Sequence, residues 1–249
     1  MKKAVFLLLA VLTFAVAAWA QKTAKPWTEW SEKEAKKILD DSAWGQTQTE
    51  TSTSEMTYSP RGAGRGRGST GGAGSTSTGS PSDDSQGAYN QATSIKYHIR
   101  FLSAKPIRQA VARTVEAQQK SPDPRLTQQL QEFVDRSFDE WIVVTVVTES
   151  KDQRFSGAAM QIFNSLNTGV LKNNTYLEAH GKRTFLEEYR APTNDGLGAK
   201  FVFKREENGE PTVPADSSDM HFYSEVSKNI KLNMRFKVAA MMYDGKLEY

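Results

Sequence analysis

From Ala88 to Tyr249 the apolar positions recur with two different periods, and each period predicts an element. In "SIKYHIRFLSA", Ile95, Tyr97, Ile99 and Phe101 alternate with Lys96, His98 and Arg100, which predicts a strand with one wet face. Pro106 then suits the first turn of a helix, where its missing N–H costs nothing, with Ile107, Ala110, Val111, Thr114 and Val115 as an inward stripe. Asp123 can cap a second helix in which Leu126, Leu130, Phe133, Val134 and Trp141 continue at helical spacing. "WIVVTVVT" is β-branched and apolar on both faces, so it predicts a central strand covered on both sides. In "SGAAMQIFNSLNTG", Ala159, Ile162, Phe163 and Leu166 face inward and Gly169 is placed to end the helix. Beyond Thr175 the pattern is that of antiparallel strands. Turns are expected at His180-Gly181, Asn208-Gly209 and Asp244-Gly245, and "NIKLNMRFKV" alternates strictly. The order predicts a single α+β domain over residues 88–249, with helices packed on a mainly antiparallel sheet. About 160 residues can bury roughly 70% of their unfolded surface, enough for one core.

Three segments precede this domain. Residues 1–20 carry Lys2 and Lys3, the apolar run "AVFLLLAVLTFAVA" and small residues Ala18 and Ala20, the layout of a signal peptide cleaved before Gln21. The competing reading, an uncleaved anchor, needs a longer apolar run than about fourteen residues to cross a ~30 Å hydrocarbon core. Residues 21–45 are Trp-rich. Ser31 and Glu34 form a capping box, and Ala35, Ile38 and Leu39 make a narrow apolar stripe, with Trp27 and Trp30 before the helix and Trp44 after it. A helix this short is marginal alone, so it must dock. Residues 46–87 have Met56 and Tyr58 as their only large apolar side chains and are expected to be a disordered Gly/Ser/Thr-rich linker. A coil of that length spans roughly 35 Å. The helix can therefore dock on its own domain or on a separate protein, and a tether this long favours the partner. Trp27, Trp30, Ile38, Leu39 and Trp44 are the expected partner-docking residues.

"WTEWSEKEAKKILDDSAW" and "SAKPIRQA" resemble a group of uncharacterised exported acidobacterial proteins. Their pattern is W-x-x-W-[ST]-x-x-[DE]-A-x-x-I-L-x-x-S-x-W followed by S-A-x-P-[IV]-R-Q-A, and the ending "YDGKLEY" is similar too. The resemblance covers most of the chain outside signal peptide and linker, and implies export without implying an activity. A fainter likeness to GWxTD-domain proteins lacks the literal G-W-x-T-D string.

Composition removes whole classes of chemistry. With no cysteine there is no disulfide, thiolate metal site or cysteine nucleophile, so a hydrophobic core must hold an exported chain together. Formal net charge is +3 and becomes +1 without Lys2 and Lys3, which gives no electrostatic case for nucleic acid. "GRGSTG" (residues 66–71) matches G-x-G-x-x-G but lacks the flanking strand and helix, and "RGAGRGRG" with Arg61, Arg65 and Arg67 reads as a solvated spacer. G-x-S-x-G, S-x-x-K, H-E-x-x-H and P-loop signatures do not occur. Of the three histidines, His98 is expected on a wet strand face, His180 at a turn, and His221 near Asp216 and Asp219 in a polar loop entering a strand. No cofactor or metal is expected. Glu187 and Glu188 should point to opposite strand faces, and Lys105, Arg108 and Arg113 should form a solvated basic helix face.

Two functional readings follow. The first is a non-catalytic binding or scaffolding module of the bacterial cell envelope, periplasmic or secreted, with an envelope protein as partner and no stable membrane anchor after cleavage. The alternative is an envelope hydrolase using scattered carboxylates. A deep pocket with converging buried titratable groups would favour the second.

Overall fold

The computed structural model describes residues 25–52, 93–119, 121, 123–151 and 153–249. The expected signal peptide and the expected linker from residue 53 onward lie outside the described residues. The fold is α+β with antiparallel sheets, as the periodicities predict. A 3-10 turn at Trp27–Glu29 leads into helix α1 (Glu32–Asp40), then strand β1 (Gly45–Ser52). Strand β2 (Thr93–Phe101) is followed by helices α2 (Lys105–Ala117) and α3 (Pro124–Asp135), strand β3 (Trp141–Ser150), and helices α4 (Gln153–Ser165) and α5 (Thr168–Leu171). Strands β4 (Thr175–Ala179), β5 (Lys182–Phe185), β6 (Glu188–Arg190) and β7 (Ala199–Lys204) come next. The short pair β8 (Glu206–Glu207) and β9 (Glu210–Pro211) precedes the long strands β10 (Asp219–Ser227) and β11 (Ile230–Lys237). A last small hairpin joins β12 (Met242–Tyr243) to β13 (Lys246–Leu247).

Two sheets and a helical layer stack on one another. The five-stranded sheet has the order β1-β2-β3-β7-β6 and the four-stranded sheet β11-β10-β4-β5. Their inner faces meet through aromatic rings, Phe101 on Phe236 at 4.8 Å between centroids and Phe201 on Phe222 at 5.5 Å, both edge to face. Phe163 of α4 and Leu171 of α5 complete this core. The opposite face of the five-stranded sheet lies under the helices, where Leu102, Val143 and Val202 pack with Phe133 and Phe138. β3 is therefore central and covered on both sides, which is why an unbroken apolar run was needed there. The three expected turns form, with positive φ at both central residues: His180 52° and Gly181 75°, Asn208 57° and Gly209 79°, Asp244 48° and Gly245 74°.

Four expectations are corrected. Residues 46–52, assigned to the linker, are strand β1, paired antiparallel along β2 from Gly45↔Arg100 to Ser52↔Thr93. Ladder hydrogen bonds hold this strand, so it needs no large apolar side chains of its own. Gln48 also ties it to the other sheet: its Nε2 donates to Lys231 O at 2.7 Å and its Oε1 accepts from Asn233 N at 2.8 Å. Ser52 and Thr93 are cross-strand partners, so the strand that follows α1 lies beside β2 rather than away from the domain. Trp141 is the first residue of β3, since α3 stops at Asp135. Gly169 lies inside α5, a short helix capped by Asn167, whose Oδ1 accepts from Val170 N at 3.1 Å. Finally, His98 is 5% exposed, because α1 covers the sheet face expected to be wet.

Candidate functional site

The Trp-rich segment docks on its own chain. Ser31 and Glu34 form the expected capping box: Glu34 N donates to Ser31 Oγ at 3.2 Å and Ser31 N donates to Glu34 Oε2 at 2.6 Å. Trp27 is 8% exposed and packs with Ala112 of α2 and Leu130 and Val134 of α3. Ala35 and Leu39 of α1 pack with Ile107 and Ala110 of α2, and Ile38 is half-buried beside them. Trp30 donates its Nε1 to Lys25 O at 2.9 Å, and its own carbonyl accepts from Arg113. Trp44 donates to Glu248 O at 2.7 Å and meets Tyr243 edge to face at 6.1 Å. The apolar face that sequence reading offered to a separate protein is thus largely covered in cis. The physical reason is the β1 pairing, which holds the end of α1 against the domain. The fit there is close, since a Cβ on Gly45 would lie 2.3 Å from Leu39 O.

The docked segment leaves a cleft of about 720 Å³ between itself, α2, α3 and the β12–β13 turn. Of the five sequence-derived residues, Trp27, Trp30 and Ile38 line it, whereas Leu39 lies in the helical core and Trp44 lies behind Tyr243. Sequence reading missed Gln109, Gln131 and Tyr243, which also line it. Tyr243 donates its hydroxyl to Gln109 Oε1 at 2.9 Å, a pairing across 134 positions that no local pattern could reveal. Three lysines reach the cleft. Lys25 pairs with Glu34 at 3.3 Å, Lys105 pairs with Asp135 at 3.2 Å, and the Lys37 ammonium has no partner among the described residues.

The Glu34 carboxylate of the cleft is committed to Ser31 and Lys25. The Ser31 backbone N–H, then the Ser31 hydroxyl and Lys25, hold the Glu34 carboxyl down at about 2, so it stays ionised and cannot deliver a proton near neutrality. Asp244 is the first residue of a turn with φ 48°.

The remaining sequence candidates disperse. His98 sits between carboxylates, its Nδ1 3.0 Å from Asp40 Oδ1 and its Nε2 2.9 Å from Glu149 Oε2, while Arg100 reaches Asp40 at 2.8 Å. Burial would push Asp40 up, but hydrogen bonds from His98 and Arg100 outweigh it and hold the carboxyl at about 2. This group fastens the end of α1 to β2. Asp216, Asp219 and His221 do not converge: Asp216 lies 4.0 Å from His180, Asp219 pairs with Arg235 at 3.3 Å, and His221 meets Asn233 at 2.7 Å. Glu187 pairs with Lys204 at 3.8 Å and Glu188 with Arg190 at 2.8 Å. Among the described residues no group of three His, Cys, Asp or Glu side chains could hold a metal ion. The basic face expected on α2 is corrected, because Arg108 is 4% exposed and donates to Val134 O, Leu102 O and Ser103 O. Arg113 is part-buried against Trp30 O and Glu116. On the outer face of the four-stranded sheet, Tyr176 stacks on Tyr223 at 5.2 Å with Arg183 over it at 4.3 Å, so these rings spend their faces on protein groups. No helix among the described residues is long and apolar enough to cross a membrane. No protein-family model, curated protein or solved structure matches this chain.

Proposed function

We propose that the chain is an exported, non-catalytic binding module of the cell envelope, and that it holds a segment of a partner protein in the cleft built by its Trp-rich segment. The observation that carries this reading is the cleft itself. An apolar wall of Trp30, Ile38 and Tyr243 faces amides and an unpaired ammonium, a combination that suits an extended polypeptide with an acidic side chain near Lys37. The Trp-rich helix then acts as one wall of the site rather than as a free docking element. The alternative hydrolase reading asks for a carboxyl poised to exchange a proton, and Glu34 in the cleft is held far from that condition. Export rests on the n-region, h-region and "AWA" of residues 1–20.

One experiment tests both parts. The tagged chain is captured from its own envelope fraction in wild-type form and as Lys37→Glu, a change at an exposed position that leaves the core intact. The captured chain should begin at Gln21, and a co-captured protein should fall about tenfold in the variant, the loss expected for reversing one interfacial charge. Identical companions for both forms would overturn the cleft reading, and a chain still beginning at Met1 would overturn export.

A further inference from the structure

The walls of the cleft under the Trp-rich segment come from α1, α2 and α3, whose backbone hydrogen bonds run along their own axes, and from the last hairpin, whose two-residue strands pair with each other. Among the described residues no wall offers a strand edge on which a bound chain could lengthen a sheet. A segment lying there must leave its own N–H groups without ladder partners, and each one buried unpaired is costly. Proline has no N–H to leave unpaired.

The rings that line the cleft have already used their polar atoms. Trp30 Nε1 donates to Lys25 O at 2.9 Å, and the Tyr243 hydroxyl donates to Gln109 Oε1 at 2.9 Å. What these half-buried side chains still offer is flat ring surface, which suits an apolar ring such as pyrrolidine. The floor is formed by the buried residues Trp27, Gln109 and Val134, and it holds one unspent donor: Gln109 is 6% exposed, its Oε1 is taken by Tyr243, and its Nε2 has no partner among the described residues. A buried amide N–H calls for an acceptor, and the carbonyls of a polyproline II segment, which makes no internal hydrogen bonds, are free to supply one. The rim adds a free charge of each sign. Lys25 and Lys105 are paired with Glu34 and Asp135, whereas Lys37 and Asp244 have no partner among the described residues.

We propose that the occupant of the cleft is a proline-rich segment in the polyproline II conformation, carrying an acidic residue toward Lys37 and a basic residue toward Asp244. The proposal rests on the reading of the cleft as a polypeptide site and names the kind of polypeptide. Such a segment is largely preset in its bound shape, so it loses little entropy in a site that offers few directional contacts. Gln109 is the residue that fixes its depth, by donating to one of its carbonyls.

The test is titration of the chain that begins at Gln21, followed by tryptophan emission, with two synthetic peptides of equal length. One is an oligoproline flanked by an aspartate and a lysine, and the other has the same flanks around alternating serine and alanine. The proline peptide should bind at least about tenfold more tightly, a difference that needs only one or two fewer unpaired N–H groups. Lys37→Glu, at an exposed position, should weaken it about tenfold by reversing one facing charge. Gln109→Met, which removes the amide and keeps the length of the side chain, should weaken it by a similar factor, and thermal unfolding of each variant checks that the fold is kept. Equal affinity for the two peptides would overturn the proline assignment while leaving the cleft a polypeptide site. Absence of binding to the proline peptide, or undiminished binding by folded Lys37→Glu, would overturn it as well. Failure of the polypeptide reading itself is seen separately, in unchanged companions on capture with Lys37→Glu.

Discussion

A chain reduced to residues 88–249 is expected to melt far below one that begins at Gln21, or to lose cooperative unfolding altogether. Truncation removes Trp27, Ala35 and Leu39, which are buried, and Trp30, Ile38 and Trp44, which are partly so. Two large buried side chains and three half-buried ones contribute about 6 kcal/mol at ordinary burial energies. That is a large fraction of the roughly 5–15 kcal/mol by which a domain is stable. The loss of β1 adds to it, since β2 becomes an edge strand and Arg100 and His98 lose their cover. For a chain of this size 5 kcal/mol corresponds to roughly 10–20 °C in melting temperature. Thermal unfolding followed by circular dichroism reads the difference. Equal melting of the two chains would mean that the N-terminal segment is not part of the fold.

The second large effect is expected at Asp40. Asp40→Ala leaves the Arg100 guanidinium, 15% exposed, and the His98 ring, 7% exposed, without the carboxylate they share. Removing one member of such a group typically costs about 3 kcal/mol, because the remaining charge is still desolvated. Denaturant unfolding should show that loss. Replacing Asp40 and Arg100 together should cost less than the two single changes added, since neither charge is then left alone. A pH dependence follows with a definite sign. The Asp40 carboxyl is held at about 2 in the folded chain against an ordinary 3.8, so its contribution is complete above about pH 4 and fades as pH falls toward 2. Asp40→Ala should therefore lose less stability than wild type between pH 4 and pH 2.

The sequence disclosed what one segment settles by itself. "WIVVTVVT" announced a strand covered on both faces, the Asn-Gly and Asp-Gly pairs announced turns with positive φ, and Ser31 with Glu34 announced the start of α1. What stayed hidden depends on a second segment. "QTQTETS" has no apolar side chain by which to show itself as a strand, because it is held through backbone pairing with β2 and through Gln48. His98 obeyed the wet-face alternation of β2, and only the position of α1 over that face buries it. Arg108 was read as solvated for the same reason: its partners Leu102 O, Ser103 O and Val134 O are loop and helix-end carbonyls brought together by the crossing of α2 and α3. The candidate cleft was half legible. Trp27, Trp30 and Ile38 stood out as excess apolar surface, whereas Gln109, Gln131 and Tyr243 joined them only through the tertiary fold.

Hydrogen exchange resolved by residue tests most directly whether the N-terminal segment is a layer of this domain. Paired strands of one cooperative unit open together, so ladder amides of β1 should be protected to a free energy close to that of β3. Amides in the last turns of α1 should be protected with them, because Asp40 and Leu39 O are fastened to Arg100. The expected result is slow exchange of those hydrogen-bonded amides within residues 36–51, lost only on global unfolding. Exchange of those amides at free-peptide rates, while β3 stays protected, would contradict the account.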